Sequence, residues 1–215
     1  PGCIVVNMNL AYQMRPENLD EFVGQSHLIG EGKIIRRMIA DDNLFSMIFW
    51  GPPGVGKTTL AYIISQETKS DFHQLSAVTA GKKDLLEIIE IAKENKTKNN
   101  RTILFIDEIH RWNKAQQDAL LPHVESGLLT LIGATTENPS FEVISPLQSR
   151  CRVFVLQEHT ADDLGRIIDR ALKDKVKGIG SHSKKLKKED RDLLIRLSGG
   201  DARVLLNALE IAATT

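Results

Sequence analysis

The run Gly51-Pro52-Pro53-Gly54-Val55-Gly56-Lys57-Thr58 has the G-x-x-x-x-G-K-[ST] spacing of a phosphate-binding loop. Glycines let such a loop turn tightly, so that several backbone N–H groups point at phosphate oxygens. A helix opening immediately afterwards adds the positive end of its dipole. Lys57 is expected to reach the β- and γ-phosphates, and the Thr58 hydroxyl to ligate Mg²⁺. A glycine-rich strand-to-helix turn with an exposed lysine is the bland alternative. The apolar run Ser46-Met47-Ile48-Phe49-Trp50 before the loop and the helical pattern after it favour the phosphate reading.

Three further groups add to this chemistry. Ile103-Leu104-Phe105-Ile106-Asp107-Glu108 is an apolar run ending in two carboxylates. Alone, such a pair is commonly a helix cap. Downstream of a phosphate loop, Asp107 is expected to hold the Mg²⁺ water shell and Glu108 to polarise the attacking water. Glu108 favours hydrolysis of ATP over phosphate transfer to a small molecule. Thr135 and Thr136 end another apolar run and can reach the γ-phosphate or the water, although strand-end threonines normally cap backbone. Ser149-Arg150-Cys151-Arg152 holds two arginines that are either ordinary surface residues or the source of an arginine finger for a neighbouring subunit. In Gly199-Gly200-Asp201-Ala202-Arg203, Asp201 reads as a helix N-cap. Arg203 is poorly placed for the dipole of that helix, which suggests a task at the γ-phosphate.

Positioning these groups requires alternating strands and helices. Short apolar strands are expected at 46–50, 71–75, 102–106, 128–132 and 153–156. Helices are expected at 58–67, 83–95 and about 115–121, the last disturbed by Pro122. Residues 1–45 read as irregular chain with one helix at 34–40. Continuous apolar strands separated by helices mean an α/β fold: a parallel P-loop sheet with helices on both faces. After Thr160 only helices follow, at 161–172, 189–197 and 202–213. The expected division is an α/β nucleotide-binding domain at 1–158 and a small all-α lid at 159–215.

Composition narrows the function classes. The 215 residues carry 28 basic and 28 acidic side chains, 26% charged and 41% hydrophobic. This is ordinary globular usage and excludes both wholesale disorder and a uniformly basic coat. The neutral total is uneven, however. Residues 165–191 hold ten basic and four acidic side chains, an excess of six that the rest of the chain offsets. The Lys173–Lys188 loop within it reads first as a solvated lid loop and second as a DNA contact. Cys3 and Cys151 lie too far apart to suggest a disulfide framework or a metal site, which points to a reducing compartment. No run approaches the about 18 apolar residues of a membrane span, and the N-terminal residues lack the features of a signal peptide. A cytoplasmic protein is the expectation, with no membrane partner.

These elements, in this order, resemble the AAA+ ATPases on their clamp-loader side. The longer stretches 107–118, Leu121-Pro122-His123-Val124-Glu125 and 133–142 resemble the replication-associated recombination protein A family. The resemblance runs from about Leu10 to Ala212 and is weakest in the lysine-rich loop. Trp112 departs from it, since the family usually has phenylalanine there. The resemblance implies a DNA-stimulated ATPase, using ATP and Mg²⁺, at stalled or damaged replication forks. Its implied partners are single-stranded, gapped or forked DNA and single-strand-binding protein, with nucleoid association. By position it makes Gly51 to Thr59 the Walker A loop, Asp107 and Glu108 Walker B, and Thr136 sensor 1. It also makes Arg150 the arginine finger and Arg203 sensor 2. Ala11, Tyr12, Val23 and Gly24 correspond to the segment that embraces adenine. The family's tetramer-building C-terminal region is expected to lie outside this chain, leaving a fragment with weak activity. The alternatives are a non-catalytic, ATP-switched binding module for DNA or protein, a clamp-loader-like subunit, and a helicase fragment suggested by the literal Asp107-Glu108-Ile109-His110. A helicase of that kind needs a second α/β domain, which the helical block after Thr160 does not supply.

Overall fold

The computed structural model describes residues 9–180 and 186–214. Five strands, β1 (Met47–Trp50), β2 (Asp71–Ser76), β3 (Thr102–Asp107), β4 (Thr130–Thr135) and β5 (Arg152–Val155), make one sheet in the order β2-β3-β4-β1-β5. Every pairing is parallel, with Trp50 opposite Thr135 and Ile106 opposite Gly133. A parallel sheet gathers the carboxyl ends of all its strands at one edge, where ligands of open α/β sheets bind. In β3, Ile103, Leu104, Phe105 and Ile106 are each fully buried. Consecutive strand residues face opposite sides, so both faces of the sheet are covered.

The helices are α1 (Leu10–Gln13), α2 (Ser26–Ile29), α3 (Ile34–Ala40), α4 (Lys57–Glu67), α5 (Lys82–Thr97), α6 (Lys114–Asp118), α7 (Leu121–Glu125), α8 (Pro139–Glu142), α9 (Ser145–Gln148), α10 (Ala161–Lys173), α11 (Lys188–Ser198) and α12 (Ala202–Thr214). A 3₁₀ turn occupies Ile109–Arg111. The apolar positions of α5 sort by helical period. Leu85, Ile88, Ile89 and Ala92 are buried, whereas Leu86 and Ile91 face outward. That i, i+3, i+4, i+7 stripe packs on the sheet side, in a cluster with Leu104, Ile106, Leu129 and Leu131.

Several expectations need correction. The described residues up to 45 hold three short helices rather than one. Two of them are single turns too brief to show a period, and α1 is fixed by the Asn9 side chain accepting from the Tyr12 N–H at 3.0 Å. The helix expected at 115–121 is two helices. α6 starts on a capping box of Asn113 and Gln116, and Pro122, which has no N–H to donate, stands in the first turn of α7. The strand expected at 128–132 begins later, at Thr130. The N–H groups of Leu128 and Leu129 both donate to the His123 carbonyl at 3.0 Å, so those residues close α7 instead of extending the sheet. The segment before Arg150 also contains α8 and α9, each with a proline in its first turn.

Two compact units result. One gathers the described residues up to Gly24, the loop tip Pro53–Val55 and the described residues from Glu158 onward. Its core joins Leu10 and Met14 to Leu164, Ile168, Leu194, Leu205 and Leu209, and Arg170 pairs with Glu21 at 2.6 Å. The other contains Gln25–Pro52 and Gly56–Gln157, hence the whole sheet. There the edge strand β5 is extended by a side chain acting as backbone. Gln25 donates to the Gln157 carbonyl at 2.7 Å and accepts from its N–H at 2.9 Å.

Candidate nucleotide site

The phosphate loop is built as its spacing demands. β1 buries Met47, Ile48 and Phe49 and ends at Trp50, and the Gly51 N–H donates to the Thr135 carbonyl at 3.2 Å. Gly51 admits no side chain, because a Cβ there would strike the Leu156 carbonyl. Gly56 has φ +96° and caps α4 from the left-handed region, with no side chain bonded to the helix end. Gly56 has no side chain with which to cap the first-turn N–H groups of α4. Those N–H groups are a donor set suited to phosphate oxygens. Lys57, the first residue of α4, is buried, and its ammonium donates to the Gly51 carbonyl at 2.7 Å and the Pro52 carbonyl at 2.8 Å. Val55 is buried, Pro53 is exposed, and Thr58 and Thr59 are half-buried in the first turn of α4. Gly54 has φ +72° and lies against the Asp201 carboxylate.

The carboxylate pair closes β3. The Asp107 carboxylate accepts from the Glu108 N–H at 3.2 Å. Glu108 has φ +54° and ψ +44°, a left-handed conformation unusual for a non-glycine residue. Its Oε2 is shielded from solvent and, among the described residues, has no hydrogen-bond partner. His110 Nδ1 lies 3.2 Å from it. That nitrogen is bonded at 2.9 Å to Thr135 Oγ1. Thr135 Oγ1 also accepts from the Glu137 N–H at 3.0 Å and donates to the Glu137 carbonyl at 3.2 Å. Thr135, fully buried at the end of β4, thus touches both motifs: its carbonyl holds the phosphate loop and its hydroxyl meets His110. Thr136 follows it, half-buried, just beyond the strand.

Arg150 follows α9 on a stiffly held loop. The buried Gln117 donates to the Trp112 and Glu142 carbonyls and accepts from the Ile144 N–H. Gln148 donates to the Pro139 and Val143 carbonyls. The Arg150 guanidinium donates to the Pro146 carbonyl at 2.6 Å and pairs with Glu125.

In the helical unit, Arg203 is exposed on the first turn of α12, 3.9 Å from the Asp201 carboxylate. Asp201 caps that helix by accepting from the Arg203 and Val204 N–H groups. Ala11 and Tyr12 lie on α1, with Tyr12 half-exposed under the Arg15 guanidinium. Val23 is half-buried. Gly24, at φ +82°, lies against the His159 ring, which a Cβ would meet at 2.9 Å. The lysines 184 and 185 of the Lys173–Lys188 loop lie outside the described residues, as does Cys3. Among the described residues there is no cluster of metal-ligating side chains of the His, Cys, Asp and Glu type. No helix among them is long and apolar enough to cross a membrane.

Neither the contact of His110 nor the separate place of Thr135 beside Thr136 is evident from the motifs alone. The available signal was spacing: a histidine two residues after the second carboxylate of a strand-end pair folds back when a 3₁₀ turn intervenes.

A profile of the family described as the Holliday junction DNA helicase RuvB P-loop domain matches residues 14–135. Replication-associated recombination protein A of Escherichia coli is 50% identical over 204 residues, which are 95% of this chain and 46% of that protein. The Haemophilus influenzae protein of the same name is 49% identical over 202 residues, 94% of this chain and 45% of that one. Among solved structures, the Thermotoga maritima RuvB Holliday junction branch migration motor superposes with a TM-score of 0.67 at 29% identity, over 90% of this chain and 63% of that chain. The chain spans about half the length of the curated relatives it matches.

Proposed function

The chain belongs to the RuvB-type P-loop family of AAA+ ATPases, on its replication-associated recombination protein A branch, and on that premise we propose that it is the ATP-hydrolysing module of a DNA-stimulated machine for replication-fork maintenance, recombination and repair. One observation carries the reading. Lys57 and the Asp107–Glu108 pair follow β1 and β3, the two strands that flank β4, at the carboxyl edge of a single parallel sheet.

The roles follow from the chemistry. The Lys57 ammonium exchanges its two loop carbonyls for β- and γ-phosphate oxygens, joined by the N–H groups from Gly54 to Thr59. Thr58 and Asp107 offer the hard oxygen ligands that suit Mg²⁺. When bound, that ion supplies neutralisation of charge on the phosphates. Glu108, with an oxygen not engaged by hydrogen bonds, takes the proton of the water that attacks the γ-phosphorus, and ADP leaves with the β–γ bridging oxygen. Thr136 contacts the γ-phosphate or the water. Arg150 acts on a neighbouring subunit's nucleotide and Arg203 on the γ-phosphate. Ala11, Tyr12, Val23 and Gly24 surround the adenine.

The partners we propose are single-stranded, gapped or forked DNA, single-strand-binding protein and further copies of the protein in a tetramer, in the cytoplasm at the nucleoid. The test is the ATPase rate of the full-length protein with a panel of such DNAs. DNA should raise the rate. Glu108→Gln should abolish turnover while keeping ATP binding, and Lys57→Ala should lose binding. Unchanged hydrolysis in Glu108→Gln sinks the assignment.

A further inference from the structure

His159 is buried where several segments of the helical unit converge. It follows Glu158, the first residue of the C-terminal part of that unit, and precedes α10. Its ring lies against Gly24, so closely that a Cβ there would meet Nδ1 at 2.9 Å. It also meets the backbone of Gly54, at the tip of the phosphate loop. Two carboxylates flank it. Asp163 of α10 places Oδ2 at 3.6 Å from the same point beside Gly24, and Asp201, ahead of α12, lies against Gly54. Asp163 accepts from the Thr160 N–H and hydroxyl, and the exposed Arg203 stands 3.9 Å from Asp201. Glu158 is exposed. The His159 residue is 9% exposed, yet its Nδ1 has no hydrogen-bond partner among the described residues. A buried ring nitrogen left unpaired is costly, and nothing in the chemistry of hydrolysis described above uses it.

Two opposing effects meet at this ring. Burial disfavours its charged form, while Asp163, Asp201 and the Gly54 backbone favour it. Phosphates seated on the loop add negative charge beside Gly54, within the about 8 Å over which charge is felt at physiological salt. That addition favours the cation. The cation carries an N–H on both ring nitrogens, so Nδ1 becomes a donor with carboxylates close by. We propose that His159 is a proton-linked positioning residue of the nucleotide site: it takes a proton from solvent onto a ring nitrogen when phosphates occupy the loop, and as a cation it ties Gly54 to Asp163 and Asp201. The inference rests on the nucleotide reading of the loop and adds a proton to its binding reaction. Linkage is reciprocal, so a nucleotide that raises the proton affinity of His159 binds more tightly as pH falls.

Calorimetry of ADP binding to the full-length protein tests this without turnover. Titrations in PIPES and in bis-Tris buffer, whose ionisation enthalpies differ, count the protons exchanged per ADP bound. The parent should take up more protons than His159→Gln, the titration of the nucleotide itself being common to both. As pH is lowered through the histidine range, the ADP affinity of the parent should gain about threefold or more over that of His159→Gln. Asp163→Asn keeps the ring but removes one carboxylate, and it should take up fewer protons than the parent. This second variant decides the matter if His159→Gln does not fold, which circular dichroism checks. A merely structural role for His159 would weaken binding equally at every pH and leave the proton count unchanged. Equal counts in parent and variants, or a parent that releases more protons than they do, would overturn the proposal. A parent protein that binds no ADP removes the nucleotide reading itself, and the proposal with it.

Discussion

The Asp201 carboxylate lies against the Cα of Gly54, in the space that a side chain on that residue would occupy. The same carboxylate caps α12 through the Arg203 and Val204 N–H groups. One residue therefore fixes a helix start and the tip of the phosphate loop, and Gly54 tolerates this only because it has φ +72° and no Cβ.

Gly54→Ala should cost about 1–2 kcal/mol from the left-handed backbone alone, with further loss from displacing Asp201. Asp201→Ala should cost about 1 kcal/mol as a lost cap. Because the two residues touch, the double variant should lose less than the sum. Urea unfolding of the three variants measures this. Strict additivity would mean that the Gly54–Asp201 contact carries no energy.

Arg150 is held by Glu125 and Pro146, on a loop that the Gln117 and Gln148 side chains brace within the α/β unit. If it serves a neighbouring subunit, Arg150→Ala should bind ATP normally and hydrolyse it about 10³-fold more slowly. Mixing Arg150→Ala with Lys57→Ala subunits should recover part of the rate, since mixed interfaces combine an intact nucleotide site with an intact arginine. No recovery on mixing would assign Arg150 to its own subunit or to none.

His159 is buried beside Gly24, and its Nδ1 has no hydrogen-bond partner among the described residues. Burial lowers its pKa below the ordinary 6.5, against the opposing pull of Asp163, Asp201 and the Gly54 backbone. The unfolded chain protonates this ring near pH 6.5, while the folded chain does so only at lower pH. Unfolding in that interval takes up a proton, so stability is present above pH 6.5 and declines on acidification. His159→Gln should flatten the decline below pH 6.5 in denaturant titrations. An unchanged slope would show that other groups dominate it.

Cys151 stands between the Arg150 loop and β5, and burial pushes its thiol up to about 12. At neutral pH the thiolate, the reactive form, is scarce. Alkylation should therefore be slow in the folded chain and should track unfolding when denaturant is added. Rapid labelling in native buffer would contradict this burial.

The chemistry was legible in the sequence wherever it is written in consecutive residues. Gly51 to Thr58 and Asp107-Glu108 could be read because a phosphate loop and a strand-end carboxylate depend on local backbone: a strand, a tight turn and a helix start. The parallel sheet followed from continuous apolar runs such as Thr102 to Ile106, which only a strand covered on both faces can bury. Short elements were not legible. α1, α2, α8 and α9 span four residues each, too few for a period, and each is held by a cap, a proline or a distant core.

Tertiary structure alone decided the strand order, which sets Thr135 between the two motifs and so joins Gly51 to His110. It decided that Leu10 and Met14 pack with the C-terminal helices, where they find their apolar partners far along the chain. The physical reason is the same in each case. Local sequence fixes backbone shape within a few residues, whereas a hydroxyl, an imidazole and a carboxylate from different segments meet only after long-range burial has chosen which strands are neighbours.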